Sequence, residues 1–155
     1  MQAKFFRRII LLSVLSLISG YLQAQSAEED VKTVIEQLFD GMRAADSSMV
    51  SPLFASNAVL FTIVEKDDKV MLPQLAVENF LNAVGTARNE VWDERILAYD
   101  IKVDEKLASA WTPYEFYRGK EFSHCGVNTF QLYKSQEGWK IISITDNRRK
   151  DNCPR

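Results

Sequence analysis

Histidine and cysteine are scarce in this chain of 155 residues, which has one His and two Cys. With His124 alone and no C-x-x-C spacing, a His/Cys metal site lacks ligands. The chain also has no Gly-rich phosphate loop, no G-x-S-x-G elbow for a serine nucleophile and no H-E-x-x-H zinc helix. No metal and no cofactor are therefore expected. Positive charge is not in excess: the formal net charge is −2. That argues against nucleic acid, whose binding rests on a cationic footprint. Past the first residues, no apolar run approaches the ~20 residues a membrane helix needs. Internal repeats, low-complexity stretches and a second domain are missing as well.

What is present begins with a leader-like segment. Lys4, Arg7 and Arg8 form a charged head, and Ile9 to Ile18 is an apolar run broken by Ser13 and Ser16. Leu22-Gln23-Ala24 then offers tolerated residues at −3 and −1. This is the layout of a cleaved secretory signal peptide over residues 1–24. The alternative, a membrane anchor, would need a longer run. No cysteine follows the run, so lipid attachment at a mature N-terminal Cys is excluded. Removing the leader's three basic residues leaves 16 basic against 21 acidic ones, a formal −5. The remaining residues, 25–155, suit a single domain with a real core. A periplasmic or secreted location is expected, in a bacterium. There a disulfide can persist, and Cys125 with Cys153 is the one intramolecular pairing available. Metal ligation and a reactive thiol are the weaker alternatives, since no second His could assist either.

Ser26-Ala27-Glu28-Glu29 fits a capping box. Val31, Val34, Ile35, Leu38, Phe39 and Met42 follow at helical spacing and predict an amphipathic helix over about Ala27–Ala45. Asp46-Ser47-Ser48 starts a short second helix. Ala58–Val64 reads as a strand and Glu65–Lys69 as a charged turn. Pro73 is expected to open a third helix and Gly85 to cap it. From Val91 the period changes to two. Val91–Val103, Leu107–Arg118, Phe122–Lys134 and Trp139–Arg148 are strand candidates with connections of hairpin length. Helices first and a meander after predict an α+β domain.

Pairing through an Asp104-Glu105 turn puts Asp93, Arg95, Leu97, Tyr99, Thr112, Tyr114 and Phe116 on one face with Ala108 and Ala110. The two alanines leave room for a helix. On the last hairpin, Phe122, His124, Gly126, Asn128, Phe130 and Leu132 share a face. So do Trp139, Ile141, Ser143, Thr145 and Asn147, with Asp146 outward. Both faces are apolar near the Ser135–Gly138 turn and polar away from it, as a partly polar cavity would need.

This order of elements resembles the nuclear transport factor 2-like superfamily, and Gly138-Trp139-Lys140-Ile141 looks like its last-strand signature. The segment HCGVNTFQLYKSQEGWKIISITDNRR is similar to small secreted bacterial members with SnoaL-like or lumazine-binding-like domains. The resemblance implies a cone: a curved antiparallel four-strand meander, plus one short earlier strand, wrapped around three N-terminal helices. It also implies a pocket at the open end and frequent homodimers through the outer sheet face.

The expected function is binding of a small, mostly apolar molecule by Phe61, Leu97, Tyr99, Tyr114, Phe116, His124, Asn128 and Phe130. A proton-transfer enzyme (isomerase, cyclase or dehydratase) is the alternative, with His124 as acid or base and Tyr114 as oxyanion donor. The lone His124 is otherwise a structural imidazole. Ketosteroid isomerases of this superfamily use an Asp–Tyr–Asp set, and no such set can be matched here. A dimeric interaction module is the third possibility.

Overall fold

The structure, a computed structural model, describes residues 27–86 and 89–153. The expected leader and the capping Ser26 lie outside the described residues. The first helix, α1, covers residues 27–44, as its apolar period dictates. Val31, Ile35, Leu38, Phe39 and Met42 are all buried along one stripe. Each such side chain contributes roughly 1.5–3 kcal/mol by leaving water. Asp46 caps α2 (Ser47–Val50) by accepting from the Ser48 N–H at 2.9 Å. A single 3-10 turn, Ser51–Leu53, holds Pro52 in its first turn, where a missing N–H costs nothing.

The strands are β1 (Phe54–Lys66), β2 (Lys69–Met71), β3 (Gln74–Ala76), β4 (Trp92–Ile96), β5 (Asp100–Asp104), β6 (Leu107–Arg118), β7 (Glu121–Ser135) and β8 (Gly138–Arg149). Helix α3 (Val77–Gly85) lies between β3 and β4. Among the described residues these strands form one sheet, ordered β2-β1-β8-β7-β6-β4, with β3 on β1 and β5 on β6. The meander β6–β7–β8 is antiparallel, whereas β1 joins β8 in parallel. Ala108 and Ala110 are buried in the core cluster that includes the α1 stripe. The ring of Phe39 meets that of Phe130 edge-on at 6.2 Å. The result is the expected α+β cone.

Several local expectations are corrected. Pro73 does not open α3, because Gln74–Ala76 first pairs with β1 and the helix starts at Val77 with Ala76 as its N-cap. Gly85 is the last helical residue rather than a cap. A Cβ there would come within 2.8 Å of Ser47 Oγ, so glycine serves the contact between α2 and α3. The turn after β1 is Asp67-Asp68, and its flanks pair as strands. The Val91–Val103 strand is two strands. Residues 97–99 bulge between them, and the Leu97 N–H bonds the Pro113 carbonyl at 2.9 Å. The β5–β6 turn is Glu105-Lys106, so Ile101 faces Ala110 rather than Ala108.

Cys125 and Cys153 are bonded, with Cα atoms 5.6 Å apart. The bridge fastens the chain after β8 to the middle strand of the meander, next to His124. Closing a 28-residue separation restricts the unfolded chain and contributes about 2–4 kcal/mol. Replacing both cysteines with alanine is expected to lower stability by that amount in urea melts. Mass measurement without reductant is expected to show no free thiol in the oxidised protein.

Candidate functional site

A cavity of about 280 Å³ opens at the end of the cone away from the β5–β6 turn. Its apolar lining includes Leu38, Phe39 and Met42 of α1, Leu60 and Phe61 of β1 and Phe80 of α3, with Phe116 and Phe130 from the sheet. Its polar groups, Thr62 apart, come from β4, β6, β7 and β8: Glu94, Tyr114, Arg118, His124, Asn128, Asp146 and Arg148.

Departures from regular pairing put those groups there. In β8 the register shifts by one between the pairs Leu132–Ile141 and Gln131–Ser143. An extra residue reverses the alternation beyond it. Ile144, Asp146 and Arg148 therefore face inward, opposite Phe130, Asn128 and Gly126. Ser143, Thr145 and Asn147 take the other face, the reverse of the regular alternation. The bulge at residues 97–99 does the same to β4. Glu94 lies opposite Phe116 and Ile96 opposite Tyr114, while Asp93 and Arg95 turn away and bond each other at 2.7 Å. In β7 a shift at Ser123 turns Phe122 outward, onto Tyr117 at 5.8 Å between ring centroids.

Asp146 is the hub. One carboxylate oxygen accepts from the Thr62 hydroxyl at 2.6 Å, and the other from Arg148 Nε at 2.8 Å. The Tyr114 hydroxyl donates to the Asn147 carbonyl at 3.1 Å and stands 3.4 Å from Asp146. Its single proton is engaged there, so Tyr114 is not the free oxyanion donor the sequence suggested. Burial foremost, with Glu94 and Asp146 nearby, pushes its ionisation well above the ordinary phenol range.

Glu94 accepts from Asn128 Nδ2 at 2.7 Å. Desolvation pushes its carboxyl up to about 7 against the pull of the Asn128 hydrogen bond; Asp146 adds to the rise and Arg148 opposes it. A cavity carboxyl that titrates near neutrality is a common property of acid–base groups. Sequence periodicity missed it, because a strict alternation across Val91–Val103 assigns Glu94 to solvent.

His124 stacks on Phe116 at 4.9 Å and meets Tyr114 edge-on at 5.9 Å. Its Nδ1 lies 3.1 Å from Ser123 Oγ. Desolvation, then the nearby Arg148, holds its pKa below the usual value, so the ring is neutral at neutral pH. Its charged neighbour from β8 is Arg148.

Of the residues assigned to ligand binding by sequence, Phe61, Tyr114, Phe116, His124, Asn128 and Phe130 line the cavity. Leu97 and Tyr99 do not. Leu97 is 45% exposed in the bulge. Tyr99 packs on the core further down the cone, with Lys32 Nζ 5.7 Å from its ring centre. Burial and the acids Glu36 and Asp40 push its phenol up to about 12.

The family model described as "Putative lumazine-binding" matches residues 26–145. No curated protein matches the chain in sequence. Among solved structures it is similar to a nuclear transport factor 2-like protein with a cystatin-like fold from Novosphingobium aromaticivorans. That match has TM-score 0.70 and 9% identity, covering 89% of this chain and 92% of that one. It is also similar to a "putative dehydratase" of the same fold family from Streptomyces avermitilis, with TM-score 0.62 and 15% identity, covering 81% and 97%. A third is the beta subunit of a "putative aromatic-ring-hydroxylating dioxygenase" from N. aromaticivorans, with TM-score 0.67 and 14% identity, covering 82% and 92%. At these identities the likeness carries the fold alone.

Two outcomes follow from the geometry. A Cβ on Gly126 would overlap the Asn147 carbonyl and come within 2.8 Å of the Tyr114 hydroxyl. Gly126→Ala is therefore expected to cost about 1–3 kcal/mol in chemical denaturation. Glu94 has the opposite sign from an ion-paired acid. Between about pH 4.5 and about 7 the folded carboxyl keeps a proton that the unfolded one has released. Stability falls across that window as pH rises. Glu94→Gln keeps the acceptor for Asn128 and removes the penalty. Its melting temperature is expected to exceed the parent's at pH 8 and to match it near pH 4.

Proposed function

The chain belongs to the "Putative lumazine-binding" family within the nuclear transport factor 2-like superfamily, and from that membership we propose that it is an exported domain that binds a small, mostly apolar molecule in the open end of its cone. The cavity carries this reading. Apolar side chains of α1, β1 and α3 share the cavity with polar groups of β4, β6, β7 and β8, the composition of a small-molecule site. Export by a leader cleaved after Ala24, to the periplasm or the medium, accords with the Cys125–Cys153 bridge. Pairing of two copies through the outer sheet face accords with the exposed Leu107, Trp111 and Tyr133 there.

Glu94 favours a second reading, proton transfer on the bound molecule. It faces the same cavity as His124, as a desolvated carboxyl. In this reading Glu94 rather than His124 takes the proton, and Asn128 positions it. The dehydratase description of the Streptomyces protein belongs with this alternative.

Native mass spectrometry of protein purified from its own host tests the first reading. A dimer carrying a non-covalent adduct is expected. Ala83→Phe, which fills the cavity from α3, is expected to lose the adduct while keeping its melting temperature within a few degrees. Equal retention by that variant would rule out the cavity as the binding place. If the molecule is turned over, Glu94→Gln is expected to slow the reaction at least about 100-fold with binding preserved.

A further inference from the structure

Arg118, His124 and Arg148 lie on three neighbouring strands. Phe116 of β6 pairs with His124 of β7, and Gly126 of β7 with Arg148 of β8. His124 is thus diagonal to Arg148, and Arg118 is two residues on from Phe116, the partner of His124. Diagonal neighbours on one face are within reach of long side chains. All three line the cavity, and the two guanidiniums are near enough to hold the His124 pKa down.

The charges are only partly answered. Arg148 spends its Nε on Asp146, and its terminal nitrogens have no partner among the described residues. Arg118 is exposed at the mouth and has no hydrogen bond or ion pair among the described residues. Asp146 offsets one of the two positive charges. About one is left over while Glu94 holds its proton. A singly charged oxyanion balances that excess, whereas a dianionic phosphate would crowd the two carboxyls.

Building on the cavity-binding reading above, we propose that the ligand is an apolar monocarboxylic acid, its carboxylate held at the mouth by Arg118, Arg148 and His124 and its apolar body laid against α1, β1 and α3. The planar fork of arginine matches a carboxylate, and the neutral imidazole adds a hydrogen bond without adding charge. Deeper in, the apolar wall of Phe39, Leu60 and Phe130 has nothing to offer a second charged group.

Titration calorimetry with octanoate and octan-1-ol tests this. The two share a chain and differ in the head group. The wild-type protein is expected to bind octanoate at least about tenfold more tightly at pH 7, the effect of one charge-assisted contact. Arg118→Ala, at an exposed position with no partner among the described residues, is expected to remove that preference by weakening octanoate alone. Arg148→Lys, which keeps the charge and loses the fork, is expected to reduce it. Octan-1-ol binding reports in each variant that the cavity is intact. Equal affinities in the wild type, or an octanoate preference that survives Arg118→Ala, would overturn the proposal and leave the cavity reading standing. Failure of both probes to bind the wild type would overturn the two together.

Discussion

Strand register governs what this molecule can do. A cone that must curve around α1 cannot keep a flat ladder, and its strands take up the curvature with single extra residues. Each of these reverses the in-and-out alternation for the rest of its strand. The shift in β8 brings Asp146 and Arg148 inside, and the bulge at residues 97–99 brings Glu94 inside. Without those two departures the cavity would be lined by Ser143, Thr145, Asn147, Asp93 and Arg95. Such a lining would lack Glu94, Asp146 and Arg148.

The same two departures create an electrostatic problem that the neighbouring residues solve. Asp146 is 8% exposed, and a carboxylate so placed is costly unless it is hydrogen-bonded. Thr62 from β1, Arg148 from its own strand and the Tyr114 hydroxyl surround it. Glu94 has one bond, from Asn128, and desolvation pushes its carboxyl up to about 7.

The fold was legible because its signals are redundant. The α1 stripe from Val31 to Met42 repeats a helical period, Ala108 and Ala110 mark where a helix lies on the sheet, and the last two strands meet across a tight turn at Gly138, whose φ of +115° suits glycine. The bridge between Cys125 and Cys153 followed from compartment and from there being only two cysteines. The site was half legible. His124, Asn128 and Phe130 sit in an unshifted part of β7 and alternate as expected. Glu94, Asp146 and Arg148 lie beyond bulges that no residue type announces, since neither Leu97-Ala98-Tyr99 nor Ile142 carries a glycine or proline to mark the break. Tyr99 and Leu97 were misplaced by the same bulge that hid Glu94.

The parallel contact of β1 with β8 has a further consequence, for the order of assembly. The meander can form from neighbours in sequence, but β1 must wait for the final strand. The bond from Thr62 to Asp146 spans 84 residues. Such long-range pairing is slow to form. The wall that β1 and α3 give the cavity is therefore completed last. A chain halted before β8 would leave β1 without its parallel neighbour and the core without Trp139 and Ile141. Completion of the cavity coincides with the end of folding, so a molecule captured there would report that the chain has finished.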